Sequence, residues 1–266
     1  MANDDPKQDR ALLSELCAAL AFLTRVPISA LGEVANRPLD GRRGARLFPV
    51  VGAAIGAAGG LVLVMLASLG VPPLVAAGVA VATTIGLTGA LHEDGLADTA
   101  DGFGGGVTAQ RKLEIMKDSR IGTFGALAVG VSVLLRVTAL GSLVAAGGLH
   151  AVAAWIAAEA ASRGAMVKLW HDLPSARPDG MADRAGQPDD QATLVALIAS
   201  VVIVALAIIP TFGTWAALTG TAFIVAAGFT CARLFLNQIG GHTGDTLGTG
   251  QQCTAIAFLI AMTPFA

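Results

Sequence analysis

Three aspartates, Asp94, Asp98 and Asp101, stand at i, i+4 and i+7 in the chain. At about 3.6 residues per helical turn these positions lie within roughly 60° of one another. Three like charges on one face repel, and nothing in the adjacent sequence neutralises them. A divalent cation would. An all-oxygen donor set suits Mg²⁺ or Mn²⁺ better than Zn²⁺. Glu93 adjoins the three but points off their face, as a further metal ligand or a solvated side chain. Gly95, Gly102 and Gly104 to Gly106 leave the backbone open to a large polar substrate. The plainer alternative is an acidic helix end followed by a flexible linker. In a chain with only 19 acidic residues, three on one face favour the metal.

Two further segments extend this chemistry. Arg111 to Arg120 holds four basic residues, Arg111, Lys112, Lys117 and Arg120, together with Asp118. Metal and arginine together are what a diphosphate needs, since both meet phosphate oxygens. Asp118 could join the metal shell or orient Arg120; Arg111 and Lys112 read equally as membrane anchors. Gly240 to Gly248 sets Asp245 among glycines and threonines. Such a loop can offer backbone N–H groups to phosphate, while Asp245 completes a metal site or accepts a proton. His242 there is a weaker candidate. There is no Gly-x-Ser-x-Gly, Walker A or His-Glu-x-x-His motif, and no Tyr. Direct displacement at phosphorus is then more economical than covalent catalysis.

The elements that must hold these groups are membrane helices. The chain has 266 residues, 54% hydrophobic and only 14% charged, with a mean hydropathy of +0.69. A soluble domain carries about 25% charged residues. The fold class expected is all-α, a polytopic membrane bundle in one domain, 1–266. Seven apolar runs are long enough to cross a bilayer: 47–69, 74–91, 121–146, 151–170, 193–209, 215–236 and 251–265. A short run, 11–23, suits an interfacial or re-entrant helix. Short uncharged connections alternate with long charged ones at 24–46, 92–120, 171–192 and 237–250. Every Lys and Arg lies in a charged segment or on a span leading to one, so these segments are expected to be cytoplasmic. Residues 174–190, rich in Asp, Pro and Gly, read as a solvated loop.

Gly52, Gly56 and Gly60 repeat every four residues, which predicts a close helix contact or reflects general glycine richness. Arg136, Glu159 and Arg163 lie inside the apolar runs, where charge is costly and is either functional or paired. Glu159 and Arg163, at i and i+4, can pair, and Arg163 is the likelier of the two arginines to reach substrate. Cys17, Cys231 and Cys253 lack metal or disulfide spacing. Residues 1–10 lack the order of a cleaved signal, so no processing is expected. A net charge of −2 names no partner, and no nucleic acid is expected.

The assembled stretches resemble the cobalamin synthase family, the adenosylcobinamide-GDP ribazoletransferases. They are Phe22 to Pro27, Phe48 to Gly52, His92 to Gly102, Glu114 to Thr123, Ser162 to Gly164 and Thr243 to Gly248. The resemblance implies Mg²⁺-dependent joining of adenosylcobinamide-GDP to α-ribazole or its 5′-phosphate. The products would be adenosylcobalamin or its 5′-phosphate, and GMP. It also implies the bacterial inner membrane, with lipid around the bundle and the site facing the cytoplasm. By position it makes Asp94, Asp98 and Asp101 metal ligands and Arg25, Arg120 and Arg163 phosphate contacts, with Asp118 and Asp245 supporting the metal or acting as the base pair. Glu93 is expected as a further metal ligand, Asp118 and Asp245 as the catalytic residues, and His92, Lys117, Thr243 and Thr246 as further substrate contacts. The oligomeric state stays open. The rivals are a CDP-alcohol phosphotransferase and an ion-coupled transporter. The first matches the aspartate pattern only in part; the second would set its carboxylates at mid-membrane in paired halves.

Overall fold

The computed structural model describes residues 6–27, 38–178 and 180–266. Part of the expected 24–46 segment, residues 28–37, lies outside them, as do residues 1–5 and 179. The described chain is helical, and its one extended pairing is a bridge between Ser175 and His242. In order, the helices are α1 (Pro6–Leu23), α2 (Gly41–Gly44), α3 (Phe48–Ser68), α4 (Pro73–Thr88), α5 (Leu91–Gly105) and α6 (Ala109–Ile115). They continue as α7 (Thr123–Ala146), α8 (Gly148–Asp172), α9 (Met181–Ala185), α10 (Asp190–Phe212), α11 (Thr214–Ile239) and α12 (Gly244–Met262).

Four of these are long and apolar enough to cross a membrane: α3, α7, α10 and α11. A fifth crossing results if α4 and α5, which meet at 90°, count as one broken span. Large apolar side chains such as Leu61, Leu134, Leu206 and Phe229 are exposed on them. That surface suits lipid. The seven expected crossings are therefore not all matched by apolar composition. The helices that fall short include α8 and α12, and the reason is physical. They carry Glu159, Arg163, Gln251 and Gln252, all buried. Both helices are mostly enclosed by their neighbours, so their polarity faces protein.

The glycine repeat does bring two backbones together. A Cβ on Gly52 would come within 2.3 Å of the Glu159 carbonyl oxygen, and one on Gly56 within 2.8 Å of the Ile156 Cα. One on Gly60 would press on Val152. α3 thus lies flat along the Ala-rich face of α8, which fixes the bundle's centre.

The corner between α4 and α5 turns on two consecutive left-handed residues, Gly89 (φ 65°) and Ala90 (φ 57°). An alanine there costs about 1–2 kcal/mol. The corner redirects the chain and starts α5 at the head of the acidic face. α5 holds four carboxylates in 15 residues, so its acidic part is too charged to belong to a span.

The long charged segments are largely helical rather than loops. Residues 91–105, 109–115 and 181–185 are helices, and α12 begins at Gly244. They gather at one end of the bundle. Gly41 packs on the Gly186 carbonyl, Lys112 donates to the Gln238 side chain, and Ser175 bridges to His242.

Candidate active site

α5 and α12 cross where neither can carry a large side chain. A Cβ on Gly95 would lie 2.7 Å from the Asp245 carbonyl oxygen, and Gly248 packs against the His92 backbone. The Thr249 hydroxyl donates to both the Gly95 (3.1 Å) and Asp245 (3.0 Å) carbonyls, tying the helices together. This crossing sets Asp245 beside the acidic face of α5. Thr243 and Thr246 form a reciprocal cap: the Thr246 N–H donates to the Thr243 hydroxyl at 3.3 Å, and the Thr243 N–H to the Thr246 hydroxyl at 2.8 Å. Expected as substrate contacts, they hold the start of α12 that presents Asp245.

The carboxylates crowd one another. Burial first, then the charges of Asp245 and Asp94, push the Asp98 carboxyl from 3.8 up to about 7; Asp101 adds to this and Arg177 opposes it. Burial likewise raises Asp245, with Arg177 and a Thr243 hydrogen bond holding it back. Asp98 and Asp245 are both costlier to ionise, through burial first and neighbouring carboxylates second.

Asp101 has a second task. Its oxygens accept the N–H groups of Gly122 (2.6 Å) and Gly125 (2.8 Å), at the start of α7. A carboxylate there also meets the positive end of the helix. A Cβ on either glycine would come within 2.5 Å of the Asp101 carboxylate, so the chain wraps it only because both are glycine.

Glu93 faces the other way, into the bundle. It pairs with Arg136 at 2.9 Å and accepts from Gln252 at 3.3 Å, with both charged side chains almost fully buried. Glu159 and Arg163 form the i, i+4 pair that their spacing suggests. Gln251 donates to Ser162 at 3.0 Å, Gln252 to Gln251 at 3.1 Å, and Ser132 to Gln252 at 3.0 Å. One network therefore links α5, α7, α8 and α12. Glu93 and Arg163, expected at the metal and at substrate, lie in this interior and not on the aspartate face.

The other expected contacts scatter. Asp118 and Arg120 pair with each other at 2.7 Å on the exposed turn before α7. Two hydrogen bonds from Arg120 hold the Asp118 carboxyl down to about 2. Lys117 beside them is exposed. Arg25 lies over the α4–α5 corner, its N–H donating to the Leu87 carbonyl at 2.8 Å and its side chain against Gly89. His92 is buried, with Nε2 lacking a hydrogen-bond partner.

Arg177 is the functional residue that sequence reasoning missed. It pairs with Asp245 at 3.0 Å and reaches the Leu113 carbonyl at 3.4 Å. Its segment is not the solvated loop expected. The Ala176 N–H donates to the His242 carbonyl and the His242 N–H to the Pro174 carbonyl, both at 2.8 Å. A Cβ on Gly241 would lie 2.1 Å from the Pro174 oxygen, so this seam closes only over glycine. The seam carries Arg177 into the site. The local signal was slight: one arginine in a polar stretch, its partner 68 positions away.

A cavity of about 150 Å³ opens beside Asp94 and Asp245, walled mainly by aromatic and aliphatic side chains. Among the described residues no three His, Cys, Asp or Glu side chains already stand at metal-binding spacing. The donor chemistry nevertheless fits a hard cation. The charges of Asp94, Asp101 and Asp245 all act on Asp98, with Arg177 opposing them; burial raises the Asp98 carboxyl first and these neighbours raise it further.

A family model described as Cobalamin-5-phosphate synthase matches residues 15–263. The chain is 46% identical over 256 residues to an adenosylcobinamide-GDP ribazoletransferase of Azorhizobium caulinodans, covering 96% of this chain and 97% of the relative. It is 46% identical over 247 residues to one of Rhizobium etli, covering 92% and 94%. One of Brucella ovis is 41% identical over 256 residues, covering 96% and 98%. No solved structure matches.

Proposed function

The chain belongs to the Cobalamin-5-phosphate synthase family, and from that premise we propose that it completes cobalamin synthesis as a Mg²⁺-dependent transferase. It joins adenosylcobinamide-GDP to α-ribazole or α-ribazole 5′-phosphate. The products are adenosylcobalamin or its 5′-phosphate, and GMP. A ribose hydroxyl attacks the phosphorus that bears the cobinamide. A new P–O bond forms, the bond to the GMP phosphate oxygen breaks, and the hydroxyl proton passes to a carboxylate. The reaction runs at the cytoplasmic face of the bacterial inner membrane.

The observation that carries this reading is the under-neutralised set Asp94, Asp98, Asp101 and Asp245, with Arg177 beside it. Mg²⁺ bound by Asp94 and Asp98, with Asp101 and Asp245 completing the set, would neutralise the diphosphate and the departing GMP. Arg177 holds Asp245 in place and has further guanidinium N–H groups for a phosphate oxygen. Asp245, with raised affinity for a proton, receives the hydroxyl proton. Arg120 and Lys117, exposed on the turn before α7, add positive charge that a diphosphate can draw in. Family membership sets aside the CDP-alcohol phosphotransferase and transporter readings.

The test is GMP release by the purified protein given adenosylcobinamide-GDP, α-ribazole and Mg²⁺. Release that stops when Mg²⁺ is chelated supports the reading. No release at any Mg²⁺ concentration overturns it.

A further inference from the structure

The cavity beside Asp94 and Asp245 has a character that phosphate chemistry does not explain. Phe22 and Phe48 stack at 5.8 Å between ring centroids and 18° between planes. Phe48 and Trp170 follow at 6.3 Å and 30°. Three rings from α1, α3 and α8, stacked one on the next, thus line one cavity, with Met166 and Leu247 also in its wall. Its volume is on the order of ten times what one water needs. An aromatic and aliphatic wall of this kind suits an apolar aromatic guest.

One polar atom in the lining residues stands out. Trp170 Nε1 is buried and lacks a hydrogen-bond partner. The indole nitrogen is a donor only. Buried donors of this kind normally find an acceptor. The guest that satisfies the cavity is therefore a planar, mostly apolar ring with a single ring-nitrogen acceptor.

We infer that this cavity is the base site for the nucleoside acceptor and takes the dimethylbenzimidazole ring of α-ribazole. The inference rests on the transferase reading above. Dimethylbenzimidazole is flat and apolar, and once joined to ribose it keeps one free ring nitrogen, which accepts a hydrogen bond. Guanine's amide and amine could be met only by the Asp94 and Asp245 carboxylates at one side of the cavity, and the rest of its polar edge would face Phe, Leu and Met side chains. A corrinoid is far too large. With the base among the rings, the ribose leaves the cavity on the side of Asp94 and Asp245. Its hydroxyl then lies among the carboxylates, where Asp245 takes its proton. The cavity thus aims the nucleophile as well as selecting it.

Two measurements test this in the full-length protein. The first uses Ala182→Leu, which fills the cavity, and Phe48→Leu, which removes the central ring. Either variant should raise KM for α-ribazole about tenfold or more, while KM for adenosylcobinamide-GDP stays within about twofold. Equal rises in both, or none, would overturn the inference. The second needs no turnover and survives a variant that fails to fold. Free 5,6-dimethylbenzimidazole titrated into the wild-type protein should bind once, be displaced by α-ribazole and not by guanosine, and quench tryptophan fluorescence. Trp170→Phe should remove most of that quenching. Failure of the base to bind, or displacement by phospholipid alone, would make the cavity a lipid site and end the proposal. A protein that binds the base yet releases no GMP would defeat the transferase reading and leave the base site standing.

Discussion

α5 carries charge on two sides, and the two sides meet different fates. On one, Glu93 enters a buried network in which Arg136 answers it, Arg163 answers Glu159, and Gln251 and Gln252 span the gap. Two acids meet two bases, and the sum is neutral. On the other side Asp94, Asp98 and Asp101 meet Asp245, and among the described residues Arg177 is the charge that opposes them at Asp98. Among the described residues four acids there meet one base at a rim open to solvent. Adjacent residues, Glu93 and Asp94, belong to opposite regimes. A compensated cluster holds helices; an uncompensated one is suited to the cation and phosphate proposed above. Composition alone does not separate the two, because both are rare charges in an apolar chain. Pairing does.

The sharpest way to break that comparison is to remove one charge from each side. Asp98→Asn keeps size and shape and deletes an oxygen donor. Turnover should fall at least about a thousandfold, while the protein still folds and inserts. Activity within a few fold of wild type, measured as GMP release, would show that the open cluster does no chemistry. On the buried side, Glu93→Gln leaves Arg136 charged and unpaired. Stability should drop by about 3–5 kcal/mol, read as a lower unfolding midpoint in bilayers or detergent. The double change Glu93→Leu with Arg136→Met should recover most of it, because replacing both partners costs far less than orphaning one. If the single variant were as stable as wild type, the network would not be the brace described here.

Much of this division was legible in the chain, and what was not has a common cause. Short-range spacing reads well. The four-residue glycine repeat of α3, the i, i+4 pair of Glu159 and Arg163, and the helical run of aspartates all follow from the helical period. Partners far apart do not read. Glu93 and Arg136 lie on different helices, as do Gln252 and Glu93, and nothing local encodes their meeting. Arg177 reaches Asp245 only because residues 174–176 pair with His242. Asp101 shares the face of Asp94 and Asp98, yet the glycine turn before α7 draws its carboxylate onto two N–H groups. Charge excludes the long polar segments from lipid and so suggests loops, but charge does not forbid a helix. Apolar length alone makes α8 and α12 look like ordinary spans, although their polar residues face inward.

Arg177 sharpens the comparison from the side of the open cluster. Arg177→Ala should lower turnover about a hundredfold, the scale for losing one donor to a reacting phosphate. It should also strengthen Mg²⁺ binding, because one competing positive charge is gone. A fall in activity with weaker Mg²⁺ binding would mean that Arg177 serves the metal site only through Asp245.

The smallest effect concerns protons and tests the deficit directly. Asp98 is near 3.8 in the unfolded chain and is pushed up to about 7 in the fold. Between those values the folded protein holds a proton that the unfolded chain has released. Stability of the metal-free protein should therefore fall as pH rises from about 4 to about 7, and level off above. The sign is opposite to that of an acid held low by a partner, such as Asp118. Mg²⁺ should displace the proton, so its binding near pH 6 should release protons, detectable by titration calorimetry in buffers of different ionisation enthalpy. Asp98→Asn should flatten the stability slope and abolish the release, while Glu93→Gln should leave the release intact. Proton release that survives Asp98→Asn but is lost in Glu93→Gln would move the cation to the buried side, and the contrast between the two faces of α5 would have to be reversed.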